Sequence, residues 1–137
     1  MRLAVAIKRL RARLQEVSPP ASQALSIGQL SLLARLRTTG PATAAQLAVV
    51  EHVSQQAIAQ HVGQLKAAGL VQTATDPDDR RKSLISVTDA GHDLVDRARA
   101  DRTAWLDRAI EAVIPAPERP ALDQAIELLE RLADADI

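Results

Sequence analysis

SQQAIAQHVGQLKAAGL (54–70), VQTATD (71–76), PDDRRK (77–82) and SLISVTDAG (83–91) follow one another without a break. Ser54 is an N-cap residue, and Ile58, Val62 and Leu65 recur at helical spacing behind it, with Ala57 and His61 at the margins of that face. Gly69 stops the helix from the C′ position. The run from Leu70 to Thr75 and the alternating Leu84, Ile85, Ser86, Val87 then read as two short strands, joined by the turn chemistry of Pro77, Asp78 and Asp79. Thr88 opens the next helix. Helix, strand, basic-tipped hairpin, strand is the order of a winged helix-turn-helix. The expected fold class is mainly α with a small β-hairpin wing, flanked by terminal helices that form a dimerisation domain.

Upstream, Thr43 followed three residues later by Gln46 is a capping box, and it starts a short helix through Leu47, Ala48 and Val50. Gly40 and Pro41 separate it from a helix N-capped by Ser26, in which Ile27, Leu30, Leu33 and Leu36 are expected to face inward. Leu3, Ile7, Leu10, Leu14 and Val17 form a narrow, heptad-like stripe that ends at Pro19 and Pro20. Beyond the wing, Leu94, Ala98, Trp105, Ala109 and Val113 mark a long helix, Pro115 and Pro117 break it, and Leu122, Ile126, Leu129 and Leu132 mark a last one. Three segments are expected: a dimerisation helix over 1–25, the winged domain over 26–90, and dimerisation helices over 91–137. The long apolar stripes near both ends call for burial between subunits, which predicts a homodimer.

Among 137 residues, 47% are hydrophobic and Trp105 is the one aromatic, so the core must be built from aliphatic side chains on closely packed helices. There is no cysteine, which excludes thiol redox chemistry, disulfides and cysteine-based zinc sites. The residues after Met1 form an arginine-rich amphipathic segment without the apolar stretch of a signal peptide, and no run is long enough to span a membrane. A soluble, cytoplasmic protein with no membrane partner is expected. The net charge is zero, yet residues 1–40 carry seven cations against Glu16 alone, while 88–137 carry twelve acids against six arginines. Any affinity for nucleic acid must therefore come from a local patch.

That patch is the helix after Ser54 together with the hairpin. Gln55, Gln56, Ala59, Gln60, Gly63 and Gln64 lie away from the apolar face. A glutamine amide donates and accepts at once, which suits an adenine edge, and the small residues permit close approach. Ser54 stands at a helix start whose free N–H groups suit phosphate, and Thr43 is expected among the DNA-binding residues. Arg80, Arg81 and Lys82 supply cations at the hairpin tip, where arginine responds to a narrow minor groove. Asp79 is expected to position them. Taken alone, the glutamine face reads equally as a solvated surface, and the basic cluster as a charged turn that guards against aggregation.

These stretches resemble the multiple antibiotic resistance regulator (MarR) family of transcription factors over nearly the whole chain. The similarity is carried by LSIGQLSLLARL, TAAQLA, VSQQAIAQHVGQLKAAGLV and above all DPDDRRKSLISVTDAG, in which Asp79 and Arg81 hold the family's wing positions and Val87 replaces a leucine before Thr88. The resemblance implies a dimer whose two winged domains read double-stranded DNA at a pseudo-palindromic operator. It also implies a small aromatic or anionic effector, held in a crevice that would draw on Leu10, Leu14, Leu30, Ala34 and Trp105, with Arg13 or Arg37 facing a carboxylate. One departure stands out: the family often carries arginine mid-helix, where this chain has Gln60 and His61, leaving Lys66 as the helix's one formal cation. A winged-helix module that binds a partner protein and no DNA is the alternative. His52, His61 and His92 lack the spacing of a helical metal site. No catalytic motif is present, so neither a cofactor nor an enzyme activity is expected.

Overall fold

The computed structural model describes residues 1–137, whose chain forms two compact units, Met1–Asp101 and Arg102–Ile137. In order, the elements are α1 (Arg2–Glu16), α2 (Pro20–Gln23), α3 (Ile27–Thr39), α4 (Ala44–Glu51), α5 (Gln55–Ala67), β1 (Val71–Thr75), β2 (Ser83–Val87), α6 (Asp89–Val113), a 3₁₀ turn (Ala116–Glu118) and α7 (Arg119–Ala133). The expected helical chain with a two-stranded wing is what forms. No helix is long and apolar enough to cross a membrane.

The core of the first unit is wholly aliphatic. Leu32, Leu33 and Leu36 of α3 meet Leu47 of α4, Ile58, Val62 and Leu65 of α5, Val71 and Ile85 of the hairpin, and Leu94 and Val95 of α6. Each such side chain contributes roughly 1.5–3 kcal/mol when removed from water. Ile27, expected to face inward, is instead 62% exposed. The buried face of α3 is Gln29, Leu32, Leu33 and Leu36, the i, i+3, i+4, i+7 set, and position 27 falls on the opposite side of that helix. Val113 is likewise exposed, at the last position of α6.

Two local devices escaped the sequence reading. Pro20, expected only to terminate a helix, also starts one, because a proline at the first helical position loses no hydrogen bond. Ser26 belongs to a full capping box in which its hydroxyl accepts from the Gln29 N–H while Gln29 Oε1 accepts from the Ser26 N–H.

The hairpin is antiparallel, with Val71 opposite Val87 and Thr75 opposite Ser83. The segment before α4 extends it: Ala42 and Ile85 exchange both backbone hydrogen bonds, at 3.1 and 2.8 Å. The first turn of α6 is fixed to the end of α5. Thr88 Oγ1 accepts from the Gly91 N–H and donates to the Gly69 carbonyl at 2.6 Å. Gly91 is buried so closely that a Cβ there would lie 2.2 Å from the Leu70 carbonyl oxygen. The glycine of the TDAG motif thus lets α6 pass against the backbone that leaves the α5 helix.

Within the second unit, Trp105, Leu106, Ala109 and Ile110 of α6 and Leu122 and Ala125 of α7 are half-buried, while Ile126, Leu128, Leu129 and Leu132 are exposed. On α1, in the first unit, Leu3, Val5, Ile7 and Leu10 are exposed as well.

Candidate nucleic-acid interface

Helix α4, a turn at His52 and Val53, and α5 make the helix-turn-helix. Thr43 and Gln46 complete the expected capping box, at 2.9 and 3.2 Å. His52 takes a left-handed conformation, φ 55°, which closes α4 and sends the chain into α5. Ser54 Oγ accepts from the Ala57 N–H at 3.0 Å, so the α5 N-cap is as expected.

Helix α5 turns Ile58, Val62 and Leu65 inward and leaves its amide-bearing residues exposed. At 100° per residue these do not form one uniform face. Gln56, Gln60 and Gly63 lie near the outermost line of the helix. Gln55, Ala59 and Lys66 lean toward the hairpin, and Gln64 leans toward α3. The lean toward the hairpin opens a groove of about 540 Å³ lined by Ala59, Gly63 and Lys66 from α5, Thr43 and Ala44 before and in α4, and Arg81 and Lys82 from the wing. Its floor is apolar, with Val62 and Ile85, and its rim is cationic. Lys66 Nζ donates to Thr73 Oγ1 at 3.0 Å, which holds this ammonium over the groove. Helical periodicity alone does not reveal that contact.

On the other flank, Gln29 Nε2 donates to Gln64 Oε1. His61 lies beside Gly28 of α3, where a Cβ would sit 2.8 Å from His61 Nε2. Further back, Glu51 at the end of α4 accepts from Ser31 Oγ and Arg35 Nε, fastening α4 to α3.

The wing tip is ordered by carboxylates. Asp76 Oδ1 accepts from the Asp78 N–H at 2.9 Å, and Asp79 Oδ1 accepts from the Arg81 N–H at 3.0 Å. Arg81 also sets its guanidinium on Asp79, with Nε on Oδ1 at 3.2 Å and Nη2 on Oδ2 at 3.3 Å. First the Arg81 side chain and then its backbone N–H hold the Asp79 carboxyl below the usual carboxylate range. Arg81 remains 90% exposed, so its orientation is defined while its outer face stays open to a ligand. Arg80 and Lys82 are exposed beside it.

The residues expected to hold an effector are not gathered in the groove. Leu14, Leu30 and Ala34 are half-buried and Leu10 is exposed, all in the first unit, whereas Trp105 belongs to the second. Arg13 pairs with Glu16 at 2.8 Å, and Arg37 pairs with Asp96. The three histidines are likewise separate: His52 and His92 are exposed, and His61 is half-buried on α5.

Known proteins share both sequence and architecture with this chain. The model of the MarR family matches residues 25–83. An uncharacterized HTH-type transcriptional regulator of Mycobacterium bovis is 34% identical over 132 residues, spanning 96% of this chain and 90% of that protein. The crystal structure of RV1404 from Mycobacterium tuberculosis superposes with a TM-score of 0.85 at 26% identity, over 97% of this chain and 90% of that one. The BpsR protein of Bordetella bronchiseptica, whose DNA binding is regulated by 6-hydroxynicotinic acid, superposes with a TM-score of 0.70 at 27% identity, over 98% and 91% of the two chains. The chain belongs to the MarR family of helix-turn-helix transcriptional regulators.

Proposed function

We propose that this regulator is a repressor that binds double-stranded DNA as a homodimer, at a pseudo-palindromic operator whose half-sites lie about one helical turn apart. Residues 26–90 bind the DNA, and residues 1–25 and 91–137 hold the dimer together. Helix α5 enters the major groove with Gln56 and Gln60 foremost, Ser54 and Thr43 take phosphates, and Arg80, Arg81 and Lys82 work along the minor groove. The observation that carries this reading is the cationic groove between α5 and the wing, bordered by Lys66, Arg81 and Lys82. The exposed stripes on α1 and α7 support dimerisation, since aliphatic side chains in such rows gain by burial against a second subunit.

A small anionic or aromatic effector releases the operator by favouring a subunit spacing that does not match the half-sites. BpsR, with its carboxylate-bearing regulator, supports this class of compound.

Gel shift with the intergenic DNA beside the protein's own gene, at two salt concentrations, tests the reading. Saturable binding that survives unlabelled competitor and weakens with salt is expected. Absence of a shift even at low salt would overturn it in favour of a protein-interaction module.

A further inference from the structure

Gln64 shares its helix with the other candidate base readers, yet its amide is not free to choose a polarity. The chain of hydrogen bonds begins at a backbone donor, which fixes everything after it. The Ser26 N–H donates to Gln29 Oε1 at 2.9 Å, so the other end of that amide, Nε2, must point away from Ser26. Gln29 is 7% exposed, and its Nε2 donates to Gln64 Oε1. The Gln64 carbonyl oxygen is thereby turned back toward α3, and its NH₂ group is turned outward on the exposed side of α5.

We infer that Gln29, which touches no DNA itself, sets Gln64 as a donor-only reader of the major groove. Resting on the proposal that α5 reads DNA, this assigns Gln64 a base preference different from that of Gln56 and Gln60. A free glutamine amide pairs with adenine by donating to N7 and accepting from N6. Gln64, its carbonyl oxygen turned toward α3, presents no acceptor to the adenine amino group and keeps only a single donor contact to adenine N7. Its NH₂ matches an edge made of acceptors: guanine, with O6 and N7, or O4 of thymine. The α3 capping box is thus also a specificity device, positioning a side chain on a neighbouring helix.

Gln29→Glu is the informative substitution, because it keeps the capping box while replacing the donor with an acceptor. Gln64 must then turn its NH₂ toward position 29 and present its oxygen outward. The outward acceptor suits the amino group of cytosine or adenine. Gln29→Leu, which removes the tie without adding charge, frees the Gln64 amide to take adenine.

Selection of bound duplexes from a randomised pool, with wild type, Gln64→Ala, Gln29→Glu and Gln29→Leu, reads this directly. Gln64→Ala is expected to flatten one base pair per half-site, which is guanine or thymine in the wild type. At that pair Gln29→Glu is expected to favour cytosine or adenine by about tenfold, and Gln29→Leu to admit adenine. The same preferred sites in all four proteins, with affinity reduced evenly, would make Gln29 merely structural and overturn the inference. Enrichment of sites that Gln64→Ala leaves unchanged would overturn it as well. If the wild type enriches no sequence, the proposal that α5 reads DNA fails first, and this assignment falls with it.

Discussion

On the proposed DNA-binding reading, Arg81 and Gln60 carry different kinds of information. The Arg81 guanidinium is held by Asp79 in two hydrogen bonds and still exposes most of its surface, so it acts as an oriented charge. Arg81→Ala should therefore weaken binding on all sequences and lower the slope of log affinity against log salt by about one. Gln60→Ala should change the preference at one or two base pairs and leave that slope alone, and a salt series on several duplexes separates the two outcomes. Asp79 can be followed by itself. Because its folded pKa is depressed, its ionised form supports the wing tip through neutral pH, and the support is lost only as pH falls through that lowered value. An NMR titration of the Asp79 carboxyl should show its midpoint rise in Arg81→Ala, with the backbone N–H retaining part of the shift. The basic cluster and the glutamines were evident from residue type and spacing. The pairing of Asp79 with Arg81 was half evident, since adjacent opposite charges at a turn do not say which carboxylate closes on which arginine. The Gln29–Gln64 tie was hidden, because it joins residues 35 positions apart and depends on how α3 packs on α5.

Elements differ in how much of them is written locally. Capping boxes, prolines and the C′ glycine are short-range signals, so the starts of α3, α4 and α5 were legible to the residue. The outward side of Ile27 and the four-residue helix at Pro20 were not, because they follow from which neighbour each turn meets. Glycines make the same contrast measurable. Gly91→Ala drives a methyl into the Leu70 carbonyl and should cost at least about 2 kcal/mol. Gly63, with nothing near its added Cβ, should gain about 0.5–1 kcal/mol on becoming alanine through helix propensity alone. Urea denaturation of the two variants would show opposite signs.

At the scale of the whole molecule, α1 and α7 each carry a row of exposed aliphatic side chains. Their periodicity was plain in the sequence, whereas the proposed second subunit that would cover them lies outside any single chain. Leu10→Glu combined with Leu129→Glu places charge in both rows. Sedimentation should then show monomers, and operator affinity should fall by roughly a hundredfold as the two winged units cease to act together. Persistence of the dimer would move the interface elsewhere. The near absence of aromatic residues has an optical consequence. With Trp105 the sole aromatic, intrinsic fluorescence reports on the surroundings of one side chain in the unit from Arg102 onward. An emission change on adding duplex would report a disturbance around Trp105. A silent spectrum beside a positive gel shift would mean that the surroundings of Trp105 stay as they were while DNA is bound.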